Sequence, residues 1–415
     1  MTVKTLPNGV RLAVLQMPAV RSVSFGIWIR SGTGHEPPEA NGASHFIEHM
    51  LFKGTKNYSA AELADRMDLL GGEINAFTTK ECTCYYGRVL DVKLAETARL
   101  LADMLFESTF DEDSVKLERG VIVEEIGMYE DSPDDLAVEK LLLGVYRDTP
   151  LGRPILGKKE TLANMTGAFL KDYCHSHYVG ENTVIAVAGN CKEEALAEME
   201  ALFSRLPAQK GPNPGVASYQ TTLSTVEKPT EQSHIALCFP SIAIGDPRRY
   251  GVQLLSNLLG GSMSSRLFQR IREQLGLCYS VYTFQSSHMD TGIFGIYLGT
   301  GRETEQQAMT EVGNELRRMV KDGVTDNELY RSKEQVKTGM LMALESTSSR
   351  MNHIGKGLLL QNRVLSPEEI AASYERVTKE DIQTLAETIF DMDKASLSLV
   401  TQKGNAQAHL DWLKG

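Results

Sequence analysis

Alternation of apolar and polar residues opens the chain. After the Pro7-Asn8-Gly9 turn, "VRLAVLQ" and then "RSVSFGIWIRSG" read as strands. The pattern changes to a helical one over Asn41 to Phe52, which Gly54 ends. Ser59 followed by Glu62 forms a capping box for a second helix, which stops at Gly71-Gly72. "EINAFTTKECTCYYGRVL" alternates as two strands, and Asp111 to Tyr129 returns to a long helix.

This order is used twice. "MTGAFLKDYCHSHYVGENTVIAVAGN" predicts a helix, a β-rich strand and Gly-Asn, and "VTKEDIQTLAETIFDMDKASLSLVTQKGN" repeats that order at nearly the same spacing. The strand-like runs "RSVSFGIWIRSG" and "EQSHIALCFPSI" open the two halves. Between them, "LPAQKGPNPGVASYQ" (Leu206 to Gln220) holds three prolines and two glycines without a helical period, so it reads as a stiff, extended linker. The predicted class is α+β: two homologous α/β domains, each a mixed or antiparallel sheet covered by helices. The boundaries are 1–206, a linker 207–220, and 221–415.

Composition narrows the partners. A chain of 415 residues with 42% hydrophobic and 23% charged residues has the make-up of an ordinary globular protein. Its net charge of −11 argues against nucleic acid and acidic membrane surfaces, both of which demand a basic face. "MTVKTLPNGVRLAVLQ" has no basic segment followed by an apolar run, and no stretch approaches a membrane span, so a cytoplasmic protein is expected. The six cysteines form no CxxC pair and read as buried reduced thiols.

Candidate chemistry lies in "ASHFIEHMLFKGT". His45, Glu48 and His49 stand at i, i+3 and i+4, within an arc of roughly 100° on a helix. Two imidazoles so placed can hold one Zn²⁺, and the carboxylate beside them can take a proton from water. The plain alternative is a solvated helix face, but Phe46, Ile47, Met50, Leu51 and Phe52 put this helix inside the fold. A catalytic zinc needs a third protein ligand. In "LERGVIVEEIGMYEDSPDD", Glu118, Ile122, Glu125 and Tyr129 form one helical stripe, and Leu117, Val121, Glu124 and Met128 the next. Helical geometry alone does not choose between Glu124 and Glu125.

H-x-x-E-H inverts the zincin motif, and the chain resembles the M16 peptidases, inverzincins that include pitrilysin, insulin-degrading enzyme and the mitochondrial processing peptidase. "HFIEHMLFKGT" is similar to the family's zinc helix, "GGEINAFTTKECTCYY" to its following strands, and "ERGVIVEEI" to the segment carrying the last ligand. The resemblance implies His45, His49 and Glu125 as ligands of one zinc per chain and Glu48 as general base. Glu118, two turns before Glu125, would orient a ligand or the water; otherwise it is a surface carboxylate. Asn75 and Ala76 would lie on an edge strand that pairs with the backbone of a peptide substrate; otherwise Asn75 is a turn residue. In "GGSMSSRLFQRIREQLGLCYSVYTF", Arg272 and Tyr279 best match an arginine and tyrosine that reach the substrate, with Arg266 and Arg270 as competing matches. Their alternative is a salt-bridged arginine beside a buried tyrosine. Chain length matches the M16B type, which implies a homodimer enclosing a chamber.

His175 and His177, at i and i+2, point apart and read as structural, and "LLGGSMSSR" has no nucleotide-binding context. The expected activity is zinc-dependent endopeptidase action on unfolded peptides or precursor segments. The alternatives are a non-catalytic assembly relative and a structural zinc domain.

Overall fold

The computed structural model describes residues 1–415. Its first half runs β1 (Thr2–Thr5), β2 (Arg11–Gln16), β3 (Ser22–Ile29), α1 (Ala43–Met50), α2 (Ala60–Leu70), β4 (Glu73–Thr78), β5 (Thr83–Leu90), α3 (Leu94–Glu107), α4 (Glu112–Asp131), α5 (Pro133–Val145), α6 (Lys159–Ala163), α7 (Gly167–His177), β6 (Thr183–Gly189) and α8 (Glu193–Phe203). The second runs β7 (Leu223–Glu227), β8 (Gln232–Ser241), α9 (Arg249–Gly260), a π-helical stretch Phe268–Gln274, β9 (Cys278–Ser287), β10 (Gly292–Gly301), α10 (Glu305–Asp322), α11 (Asp326–Ala343), α12 (Thr347–Gln361), α13 (Pro367–Glu375), α14 (Lys379–Ile389), β11 (Ser396–Thr401) and α15 (Ala406–Lys414).

The two sheets share one plan. The first has the order β1-β2-β6-β3-β5-β4 and the second β7-β11-β8-β10-β9. Setting β1 aside, each begins with a parallel pair, β2 with β6 and β7 with β11, and continues through antiparallel pairs to a free edge strand, β4 or β9. The helices recur in the same order between the strands. The chain is a duplicated α+β fold with mixed sheets.

The packing does not follow the linear division at 206/221. One compact unit gathers Met1–Ile126, Arg153–Gly215 and Met342–Leu365; the other gathers Gly127–Gly152, Val216–Leu341 and Ser366–Gly415. Helices α5 and α12, at the same place in each repeat, are therefore exchanged. In the first unit β3 and β6 are buried along nearly their whole length, so each face needs a cover. On one face α12 supplies it: Gly355 lies so close to Trp28 that an added Cβ would stand 2.2 Å from the indole nitrogen. There too the Trp28 indole N–H donates to Met351 Sδ at 3.2 Å. In the second unit Leu136, Ala137, Leu141 and Val145 of α5 pack with Ala236, Cys238 and Val400. Each fully buried aliphatic side chain of this kind contributes about 1.5–3 kcal/mol, which commits both helices to the exchange. No helix is long and apolar enough to cross a membrane.

Candidate metal centre

Helix α1 starts under tight constraint. Its N-cap Gly42 has φ 100°, and a Cβ there would lie 2.8 Å from the Cα of Gly157. Only glycine fits this left-handed, crowded position, so the usual capping side chain is missing. Beyond it the helix buries Phe46, Ile47 and Met50 in the core of the first unit. That packing fixes the rotation of α1, and with it the direction of His45, Glu48 and His49.

Helix α4 brings the third group. His45 Nε2 lies 3.7 Å from Glu125 Oε2, and His49 Nε2 lies 3.8 Å from the same oxygen. The donor atoms of His45, His49 and Glu125 all fall within 4.8 Å of one another. A tetrahedral zinc with ligands at about 2.1 Å would set its donors roughly 3.4 Å apart, so small adjustments would close this set around one ion. Glu124, on the neighbouring stripe, is exposed and outside the cluster.

Burial tunes the donors. His45 is 7% exposed, and burial, then the nearby His49, pushes its pKa down to about 3. The imidazole is thus neutral, with a lone pair free for a metal. His49 turns Nδ1 to Glu118 Oε2 at 3.1 Å, which leaves Nε2 toward Glu125. Lys53 Nζ in turn holds Glu118 Oε1 at 2.8 Å. Such a carboxylate–histidine link sets tautomer and ring angle in metal sites. Glu48 accepts a hydrogen bond from the Thr78 hydroxyl at 2.5 Å. Burial raises its pKa above the ordinary carboxylate value, with the Thr78 bond and then His49 acting against that rise. Of Glu48, Glu118 and Glu125, only Glu118 is paired with a lysine, Lys53, and a divalent ion would offset the remaining negative charge. Two imidazoles and a carboxylate, with no cysteine, suit a hydrolytic zinc that keeps an open position.

The same unit carries the expected strand. Asn75 pairs in register with Tyr86 and Ala76 with Tyr85, while the far side of β4 is the sheet's free edge. Asn75 is exposed, and its side-chain oxygen accepts from the Ala76 amide at 2.8 Å. Because Thr78 belongs to β4, the strand that offers this edge also holds Glu48.

Arg272 and Tyr279 belong to the second unit, where the Arg272 guanidinium lies 5.1 Å from the Tyr279 ring centre and 4.7 Å from that of Phe268. Tyr279 is 73% exposed. Thr300 pairs with Cys278 and Gly299 with Ser280, so Tyr279 is the extra residue of a β-bulge, a device that re-aims side chains. The competing arginines are engaged elsewhere: Arg266 binds Glu328 and Arg270 binds Glu311, both at 2.8 Å. Arg272 has only its neighbour Glu273, at 3.8 Å. His177 is buried, stacked on Tyr173 with ring centres 3.7 Å apart, and takes no part in the metal cluster.

Sequence reasoning overlooked Thr78 and Lys53. A threonine two residues beyond Ala76 shares its sheet face, and Lys53 stands one helical turn past His49; neither signal is distinctive until the partner is known.

Comparison with known proteins adds independent findings. The Insulinase (Peptidase family M16) model matches residues 11–159, and the Peptidase M16 inactive domain model matches residues 164–336. The uncharacterized zinc protease YmxG of Bacillus subtilis is 45% identical over 97% of this chain and 98% of its own. The uncharacterized zinc protease SCO5738 of Streptomyces coelicolor is 37% identical over 97% and 90%. In fold, a protease from Helicobacter pylori matches with a TM-score of 0.90 at 21% identity, covering 96% of this chain and 99% of that one. A chain of complex III2 from Candida albicans matches at 0.86 and 19%, covering 99% of both.

Proposed function

This chain belongs to the M16 peptidase family, and from that premise we propose that it is a zinc-dependent endopeptidase acting on unfolded peptides or precursor segments. The observation that carries the reading is the convergence of His45 Nε2, His49 Nε2 and Glu125 Oε2, with Glu48 on the same helix. Relatives named as zinc proteases over nearly the full chain support it.

His45, His49 and Glu125 would hold one zinc per chain. The ion supplies Lewis acidity, polarising a peptide carbonyl and acidifying a water. Glu48, one helical turn from His45, takes the proton from the attacking water and later delivers it to the leaving amine. Its raised pKa brings this carboxyl closer to neutrality, where a base that must also act as an acid works best. Thr78 keeps the carboxylate oriented, and Glu118 keeps His49 in the tautomer that offers Nε2. The β4 edge at Asn75 and Ala76 binds an extended substrate through main-chain bonds, which tolerate many side chains. Arg272 and Tyr279 would hold the substrate carbonyl and the charge that develops on it. Two copies would enclose the site in a chamber, sparing folded proteins.

The match to the Peptidase M16 inactive domain model leaves a non-catalytic assembly role as the second reading; the complete donor set favours the enzyme. The test combines zinc content with hydrolysis of a flexible peptide by the purified chain, alone and after chelation. Zinc with chelator-sensitive cleavage supports the proposal. Zinc without cleavage points to a structural site, and neither points to an assembly protein.

A further inference from the structure

The first turn of α1 needs an acceptor that its own N-cap does not provide, since close approach to Gly157 demands glycine at position 42. The acceptor comes from six residues upstream. Glu36 is 2% exposed, and its Oε1 accepts the Ser44 amide at 2.8 Å. Its Oε2 accepts the Gly42 amide at 2.8 Å and the Asn41 side-chain amide at 3.0 Å. A carboxylate so placed faces the positive end of the helix that carries both histidines.

We propose that Glu36 is a positioning residue for the metal centre, its buried carboxylate fixing the start of α1 and thereby the approach of His45 and His49 to Glu125. The inference rests on the zinc reading above.

Three observations converge on it. All three donors lie within two positions of the helix start, so removing the carboxylate strands the Gly42 and Ser44 amides at once. The surroundings are polar and closed: the hydroxyls of Ser31, Ser44 and Tyr173 are buried beside one another there, and Ser44 Oγ also faces the Glu36 carboxylate. Finally, His45 lies one residue past Ser44, and its Nδ1 has no partner of its own. His49 is oriented by Glu118, but no side-chain bond orients His45, so its angle depends on where the helix begins.

The test measures zinc affinity by competition with a chromophoric chelator for the parent chain, Glu36→Gln, Glu36→Ala and a control, Leu101→Ala. Leu101 is a buried core residue of α3 that takes no part in this hydrogen-bond network. Glu36→Ala is expected to weaken zinc by about 10–100-fold, the range found when groups that orient metal ligands are removed. Glu36→Gln, the same size but presenting an NH₂ to one of the donors, should fall between it and the parent. Both should lower kcat with KM unchanged, whereas Leu101→Ala should lower the melting temperature and leave zinc affinity alone. Should Glu36→Ala fail to fold, Glu36→Gln decides. Parent-like affinity and kcat in Glu36→Gln, or an equal loss in Leu101→Ala, would overturn the inference while leaving the zinc reading intact. A parent chain that takes up no zinc removes both.

Discussion

Helices α1 and α9 occupy the same place in the two repeats, each following a long central strand and preceding an edge strand, yet they are built for different ends. Counted from the first residue of each helix, His45, Glu48 and His49 of α1 correspond to Gly251, Leu254 and Leu255 of α9. Counted the same way, Glu118 and Glu125 of α4 correspond to Ser332 and Gly339 of α11. In the second unit Leu254 and Leu255 are fully buried, and Ser332 bonds the Leu254 carbonyl at 3.4 Å. Where the first repeat spends stability on desolvating three carboxylates and two imidazoles, the second gains it from apolar burial. Duplication kept the frame twice and the chemistry once.

The largest effect that could break this comparison comes from the base. Glu48→Gln should lower kcat by about 10²–10⁴-fold, the range for loss of a general acid–base, with zinc content unchanged. Retained turnover would leave Glu48 without its assigned role. Zinc removal follows. At zinc 1,000-fold above its Kd, chelation should cost about 4 kcal/mol of stability. Hydrogen exchange should quicken in α1 and α4, with no change in α9 or α11. Equal loosening of both repeats would show that the metal is not confined to the first.

Smaller effects sharpen the contrast. Glu118→Gln should weaken zinc by about 10–100-fold, while Ser332→Ala at the corresponding place should leave zinc binding unaltered. Thr78→Val tests the tuning of Glu48. The Thr78 bond lowers the carboxyl pKa against the rise caused by burial, so its loss should raise that pKa further. A base works only when deprotonated, so the acid limb of kcat should move to higher pH. A shift to lower pH would contradict the assignment.

Much of this was legible in the residues, and the exceptions have physical causes. The α1 and α4 segments, the Ser59 capping box and the two strands after Gly72 carry strong local signals, and the structure places them within two residues of expectation. The i, i+3, i+4 spacing announced the histidine face. Helical periodicity left Glu124 and Glu125 open, because both lie on plausible stripes of one helix; the family resemblance pointed to Glu125, and the packing of α4 brings that residue to the histidines. The exchange of α5 and α12 was invisible, since amphipathic periodicity says that a helix needs a sheet but not which one. Glu36 escaped for a related reason: its partners are backbone amides, and a glycine-started helix leaves no sequence mark of its distant cap.

The central claim, one metal centre closed by Glu125, is tested most directly by zinc content per chain in Glu125→Ala and Glu124→Ala, measured by elemental analysis beside the parent. The account predicts about one zinc in the parent and in Glu124→Ala and almost none in Glu125→Ala. Zinc lost from Glu124→Ala but retained by Glu125→Ala would contradict it.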